Sequence, residues 1–342
     1  MTVAAEQTHR RLVVFLAGQD PVYRDATVVG WRQLRGGQSS AMTHCSLRRA
    51  DGVVEELVLR TDADAGHAVS SGGDRAQEWQ LVCAVETAGE VSMPTPRFFD
   101  ALGSIRDSPT LIFDYVAGEP LLRAARAGDA DERRRLAGQV AKLAASLGHV
   151  DVSELPAHLS LPDSPAAYLS GTLARLAAVQ RTAVEPDPFV RRALAFLSTH
   201  RPAPAPLTLV HGDFHVGNIM VTPAGTGVLV DWGARARIGD PREDFGHFVF
   251  VASGMPPDLV TEHREYVLSE YRESTGLSEQ IVNPWSLTYF TLLAGVAVAA
   301  EMVQRGARLV HDGTAGTHAA YGALVRIMQH QQGERALREL AP

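Results

Sequence analysis

Val210-His211-Gly212-Asp213-Phe214-His215-Val216-Gly217-Asn218 and, ten residues on, Val228-Leu229-Val230-Asp231-Trp232-Gly233 decide how this chain is read. Asp213 stands five residues before Asn218, and Asp231 closes the next apolar run. One carboxylate is placed to orient a hydroxyl and take its proton. An amide oxygen and a second carboxylate are hard oxygen donors of the kind that hold Mg²⁺ on phosphates. Phosphoryl transfer needs such a set. A single Asp-to-Asn spacing arises often by chance, so the weight rests on motif order and strand context. His211 and His215, four apart, suggest a metal pair at first sight, but the turn-rich surroundings and the lack of a third ligand speak against it. His215 reads instead as a residue that orients the loop through a backbone hydrogen bond.

The same spacings occur in the catalytic loop and metal-binding segment of kinases, here with Gly212 in place of an arginine and Trp232 in place of a phenylalanine. At this point the sequence resembles the aminoglycoside phosphotransferase family of small-molecule kinases. The residues that carry the resemblance are His211-Gly212-Asp213, Asn218, Asp231-Trp232-Gly233, Gly239-Asp240-Pro241 and Asp244. It covers nearly the whole chain and is most specific between residues 207 and 246. It implies an α+β, bilobal protein-kinase-like fold. Residues 1–116 would form a small β-rich N-lobe with one helix, and residues 117–342 a larger, mainly helical C-lobe. It further implies Asp213 as catalytic base, Asn218 and Asp231 as Mg²⁺ ligands, ATP or GTP as donor and a small-molecule hydroxyl as acceptor. Gly239 to Asp244 would be structural, its carboxylates holding nearby backbone amides.

The N-terminal third reads as short strands. Thr27–Leu34, Met42–Arg48 and Val53–Arg60, separated by a glycine-led turn and by Asp51-Gly52, predict a three-stranded antiparallel meander. Gly36-Gly37-Gln38-Ser39-Ser40 sits where a nucleotide-covering loop belongs. Two glycines permit close backbone approach to phosphates and the serines offer hydroxyls, although a plain hairpin turn looks the same. The family commonly has Gly-x-Ser-Asn or similar there, which assigns Gly37, Ser39 and Ser40 to the nucleotide. Asp74–Thr87 is expected to be helical, and the resemblance makes Glu78 the partner of a third-strand cation. That cation is usually lysine, but the only lysine here is Lys142, in a helical stretch of the second half. Arg60 stands at the expected point instead, always charged and able to grip an oxyanion with two parallel bonds. Pro94 and Pro96 are expected to stop regular structure before a strand at Thr110–Val116. Phe113 to Ala117 resembles the hinge, with Tyr115 and Val116 on the nucleobase.

Beyond Ala117-Gly118-Glu119-Pro120 the chain turns helical. Helices are expected over Asp129–Leu147, Pro165–Ala178, Pro188–Thr199, Pro257–Ser274, Pro284–Arg305 and Thr317–His330. Short strands are expected at Thr208–Val210, Ile219–Thr222 and Gly227–Val230.

Composition narrows the partners. The 342 residues hold 32 Lys+Arg and 39 Asp+Glu, a net charge of −7, which argues against phosphate-backbone binding and so against nucleic acid. Cys45 and Cys83 lack metal spacing and fit a reducing compartment. Arg10-Arg11 before Leu12 to Gly18 imitates a secretory signal, but Glu6 and the missing small-residue cleavage site favour a short amphipathic helix ended by Gly18 and Pro21. The apolar stretch Leu292–Ala300, closed by Glu301, is too short to span a membrane. A cytoplasmic protein without membrane partners is the expectation, and nothing in the sequence indicates its oligomeric state. From Phe245 onward, 7 Lys+Arg face 10 Asp+Glu, so the acceptor side is not strongly acidic. An alternative assignment is a pseudokinase that binds nucleotide without turnover. The intact Asp213, Asn218 and Asp231 argue for the enzyme, and the missing lysine argues weakly for the alternative.

Overall fold

The computed structural model describes residues 3–34, 40–62, 74–183, 187–233, 235–312 and 331–340. The chain divides into two compact units, one of Met1–Ala117 with Val230–Ala234, the other of Gly118–Leu229 with Arg235–Pro342.

Unit 1 is built on five antiparallel strands: β1 Thr27–Leu34, β2 Ser40–Arg48, β3 Val54–Asp62, β4 Pro96–Asp100 and β5 Thr110–Asp114, in the order β1-β2-β3-β5-β4. Helix α1, Val3–Gln19, lays Leu12 and Leu16 against Cys45, Leu47, Leu57, Leu59 and Ile112. Because strand side chains alternate between faces, Leu57 and Leu59 turn to this core while Glu56, Val58 and Arg60 line the opposite face. Helix α2, Arg75–Ala88, starts where the Asp74 side chain accepts from Ala76 N and ends at Gly89 in the left-handed region.

The expected three-stranded meander is thus the first part of a larger sheet, and β4 forms where Pro94 and Pro96 seemed to exclude a strand. The reason is position. Pro96 is the first residue of an edge strand, where its missing N–H breaks no ladder bond. Strand β5 ends at Asp114, two residues short of expectation, but Tyr115 N still donates to Glu56 O at 2.8 Å.

Unit 2 is mostly helical, as the family resemblance requires. It begins with the short strand β6 Glu119–Pro120, then α3 Leu121–Ala127 and α4 Ala130–Leu147. Helix α3 was not expected, because seven residues after a Gly-Glu-Pro break leave no readable period. Helices α5 Pro165–Thr182 and α6 Pro188–Thr199 follow, each with proline in its first turn and a capping Ser164 or Asp187. Next come β7 Thr208–Val210, β8 Ile219–Val221, β9 Gly227–Leu229 and β10 Arg237–Gly239. β8 pairs with β6 and β9, and β10 pairs with β7. The single helix expected at Pro257–Ser274 is interrupted at His263, giving α8 Leu259–Glu262 and α9 Arg264–Thr275 after α7 Glu243–Ala252. Thr317–His330 lies outside the described residues.

Helix α10, Pro284–Asp312, outruns the apolar stretch that marked it. Over Pro284–Gln304 it is long and apolar enough to cross a membrane, yet two thirds of its most apolar window is buried inside the protein. Tyr289, Phe290, Leu293 and Val296 pack there with Leu173, Leu176, Ala193, Leu197 and the helical stretch 331–340. Its apolarity is that of a core helix.

Candidate active site

In unit 1 the buried Arg60 is the hub. Its Nε donates to Ser40 Oγ at 3.2 Å and its Nη1 to Glu78 Oε1 at 2.5 Å and to the carbonyl of Trp232. Its Nη2 lies 2.7 Å from Asp231 Oδ1. Strand β3 alternation turns Arg60 to the face opposite α1, and Glu78 sits in the first turn of α2, so the expected pair of third-strand cation and helix glutamate forms with arginine in the lysine's place. Arg75 is a second cation that sequence reasoning missed. It donates to Glu78 Oε2 at 2.5 Å, to Asp62 Oδ1 at 2.6 Å and to Ser40 Oγ at 3.1 Å. Burial pushes the Glu78 carboxyl above its ordinary range, and the guanidinium groups of Arg60 and Arg75 oppose that shift.

Asp231 adopts φ +63, the left-handed region that few side chains other than Asn and Asp enter readily. Tyr115 and Val116 are half-buried after β5, and the Tyr115 ring lies 4.3 Å from that of His44. Gly37 and Ser39 lie outside the described residues.

In unit 2 the loop after β7 is held by the segment that the motif reading called structural. Asp244 Oδ2 accepts from His211 N at 2.8 Å and its Oδ1 from Gly212 N at 2.9 Å. Burial raises the Asp244 carboxyl to about 6, against the pull of those two amides. Asp240 accepts from Arg242 N at 3.0 Å and pairs with the Arg242 side chain. Gly212 takes φ +77, and a Cβ there would stand 2.3 Å from Arg235 O. Only glycine meets both demands.

That loop delivers Asp213. Its Oδ1 accepts from Arg235 Nη1 at 2.7 Å and lies 3.5 Å from His247 Nε2. Asn218 Nδ2 donates to Asp213 O at 3.0 Å and to its Oδ2 at 3.2 Å, so the five-residue spacing closes into one turn. His215 accepts from Gly217 N at 3.0 Å through Nδ1, the backbone bond expected of it, while its Nε2 lies 3.8 Å from Asp213. Burial works against ionisation of Asp213, but His247, Arg235 and His215 outweigh it and hold the carboxyl well below the ordinary carboxylate range. Asp213 is therefore an anion at neutral pH.

Three residues escaped the sequence reading: Arg235 and His247, which reach Asp213, and Glu301, which holds Arg235. Arg235 Nη2 donates to both oxygens of Glu301, at 2.6 and 2.7 Å. The one available signal was Glu301 itself, a charge that ends the apolar stretch of a core helix.

The profile of the Phosphotransferase enzyme family matches residues 30–278. The chain belongs to that family. No curated relative matches its sequence. Among solved structures it is similar to a candidate aminoglycoside phosphotransferase from Ralstonia eutropha, at 18% identity and a TM-score of 0.70 over 96% of this chain and 98% of that one. A second similar structure is the GDP and kanamycin complex of APH(2'')-IIIa, at 16% identity and a TM-score of 0.61 over 95% and 98%. A third is an amicoumacin kinase in complex with AMP-PNP, Ca²⁺ and Ami, at 12% identity and a TM-score of 0.58 over 98% and 96%. The family membership drawn from His211-Gly212-Asp213 and its companion motifs is confirmed, and so is the protein-kinase-like fold, a β-rich first unit and a helical second. The protein is a phosphotransferase.

Proposed function

We propose that this phosphotransferase moves the γ-phosphoryl group of ATP or GTP to a hydroxyl of a small molecule, with Asp213 as its base. The acceptor oxygen forms a bond to γ-phosphorus, and its proton passes to the Asp213 carboxylate. The bond from γ-phosphorus to the β,γ-bridging oxygen breaks, and its electron pair leaves on the nucleoside diphosphate. The observation that carries this reading is the Asp213 carboxylate, set on the loop after β7 in a residue tied to Asn218 by two bonds from Asn218 Nδ2.

Mg²⁺ fits the donor set. Asn218 uses Nδ2 for its bonds to Asp213, which leaves its amide oxygen for a cation, and Asp231 offers a carboxylate. Among the described residues no cluster of three or more His, Cys, Asp or Glu is present. An amide oxygen and a carboxylate are the donor types that Mg²⁺ takes beside phosphate and water oxygens. Bound there, the ion would neutralise charge on the phosphates. Ser40, Arg60, Glu78, Tyr115 and Val116, with Gly37 and Ser39, are assigned to the nucleotide. Arg60 is the phosphate-facing cation, Glu78 aligns it, and Tyr115 and Val116 meet the base.

The acceptor is a small molecule bearing a hydroxyl. Kanamycin and amicoumacin in the relatives support an antibiotic or similar polyol, while the weakly acidic C-terminal third does not demand a polycation. Two cysteines, neither in a disulfide, support a cytoplasmic setting. The test is a mass-shift screen for added HPO₃ across antibiotics, amino alcohols and sugars, with Mg-ATP and Mg-GTP in parallel. A product that requires Asp213 supports the proposal. Nucleotide binding without any phosphorylated product would support a binding protein instead.

A further inference from the structure

Both oxygens of the Asp213 carboxylate are engaged within its own unit, and the strongest contact comes from a residue that is itself held at its far end. Arg235 Nη1 reaches Asp213 Oδ1 at 2.7 Å, while Nη2 rests on both oxygens of Glu301. The backbone of Arg235 is pinned as well. Arg237 Nη1 donates to its carbonyl at 2.9 Å, and Gly212 lies against that same carbonyl. Pairing of β7 with β10 brings the two loops together, since Asp213 follows one strand and Arg235 precedes the other. Glu301 comes from α10, a helix fixed by the unit's core.

An exposed ion pair contributes little, typically about 0–1 kcal/mol, and could be dismissed as surface chemistry. This one differs in two respects. Its three side chains are about one third exposed or less, and the guanidinium bridges two carboxylates in fixed directions. A cation on a proton-accepting group also weakens it as a base, so charge alone gives no reason to place one there. A fixed direction for the carboxylate does.

We propose that Arg235, anchored by Glu301, is the positioning residue of the transfer, holding Asp213 in the rotamer that faces the acceptor hydroxyl. This rests on the reading of Asp213 as the base. Arg235 stays protonated throughout, and the hydroxyl proton goes to Asp213. The roles are separable: Asp213 touches the reacting hydroxyl, Arg235 acts through Asp213, and Glu301 acts through Arg235.

The test uses the full chain with Mg-ATP, following ADP release with water and with kanamycin as acceptors, beside calorimetric Mg-ATP affinity and thermal melting. Misplacement of a reacting group by about 1 Å costs on the order of 100-fold in rate. Arg235→Met is expected to lower kcat by at least about tenfold, with KM for ATP and the calorimetric Kd within about twofold of wild type. Arg235→Lys should recover part of the loss, and Glu301→Gln, which keeps the cation but weakens its anchor, should lose less than Arg235→Met. Added to Asp213→Asn, Arg235→Met should cost nothing further, because a residue that acts only through Asp213 has nothing left to position. An unchanged kcat in Arg235→Met, a rise in KM alone, or a full additional loss on the Asp213→Asn background would overturn the proposal. Glu301→Gln keeps the question decidable should Arg235→Met fail to fold, and a wild-type kcat in that variant would also overturn it. Wild-type turnover in Asp213→Asn refutes the base assignment and this inference with it.

Discussion

Arg60 and Asp231 form an ion pair 2.7 Å long, joining the third strand of unit 1 to the Asp-Trp-Gly segment of the same unit. Arg60 also holds Glu78 and the Trp232 carbonyl, so beside its proposed contact with phosphate it orders the segment that carries a proposed metal ligand. Arg60→Ala is expected to weaken Mg-ATP affinity by at least about tenfold, or ~1.4 kcal/mol. Arg60→Lys should lose less, since an ammonium restores the charge but not the several directed bonds. Calorimetric titration with Mg-ATP decides it, and unchanged affinity in Arg60→Ala would remove Arg60 from the nucleotide site.

The two proposed metal ligands should differ in weight. Asp231→Ala deletes an anionic oxygen donor and Asn218→Ala a neutral one. The Mg²⁺-dependent part of ATP affinity, measured with and without the ion, should fall further in Asp231→Ala. Equal and negligible changes would contradict the assignment.

Gly212→Ala is expected to be costly for two reasons that act together. The residue sits at φ +77, and the new methyl would stand 2.3 Å from a backbone carbonyl that cannot rotate away. The strained backbone region alone costs about 1–3 kcal/mol, and displacement of the Arg235 backbone adds to it. Urea unfolding of the variant should show a clear loss of stability, and wild-type stability would argue that the loop relaxes easily.

Asp244 gives a pH dependence whose sign is fixed. Its carboxyl is raised from 3.8 to about 6 in the folded protein, chiefly by burial. Well below pH 3.8 both states are protonated and this contribution to stability is fully present. As pH rises toward 6 the unfolded chain gives up the proton first, and the contribution is lost, about 3 kcal/mol in all. The stability of wild type relative to Asp244→Asn should therefore shrink between pH 4 and 7. A gap that is constant or grows with pH would show that the two backbone amides keep the folded carboxylate ionised throughout.

The fold and half of the site were legible because their signals are local. The Asp213 to Asn218 spacing, the apolar run before Asp231, and the alternation of Leu57 and Leu59 with Arg60 each lie within one element or one turn. Arg75, His247, Arg235 and Glu301 were not legible, because each matters through a partner that only the folded chain brings near. Glu301 lies 66 residues from the arginine it holds. Arginine is also the commonest cation here, with one lysine in the chain, so no single arginine stands out in the sequence. Strand β4 was missed for a related reason: Pro96 breaks a strand in the interior of a sheet but not at its edge, and edge position is a property of the sheet.

In the proposed reaction Asp213 takes the proton of a small-molecule hydroxyl as the γ-phosphoryl group arrives. The most direct measurement is mass-spectrometric detection of the phosphorylated acceptor, comparing wild type with Asp213→Asn at saturating Mg-ATP on the best acceptor from the screen. The variant keeps the shape of the side chain, and loss of a general base typically costs about 10²–10⁴-fold. The expected result is product formation slowed by at least about 100-fold with Mg-ATP affinity unchanged. Product formed at the wild-type rate by Asp213→Asn would show that Asp213 is not the base.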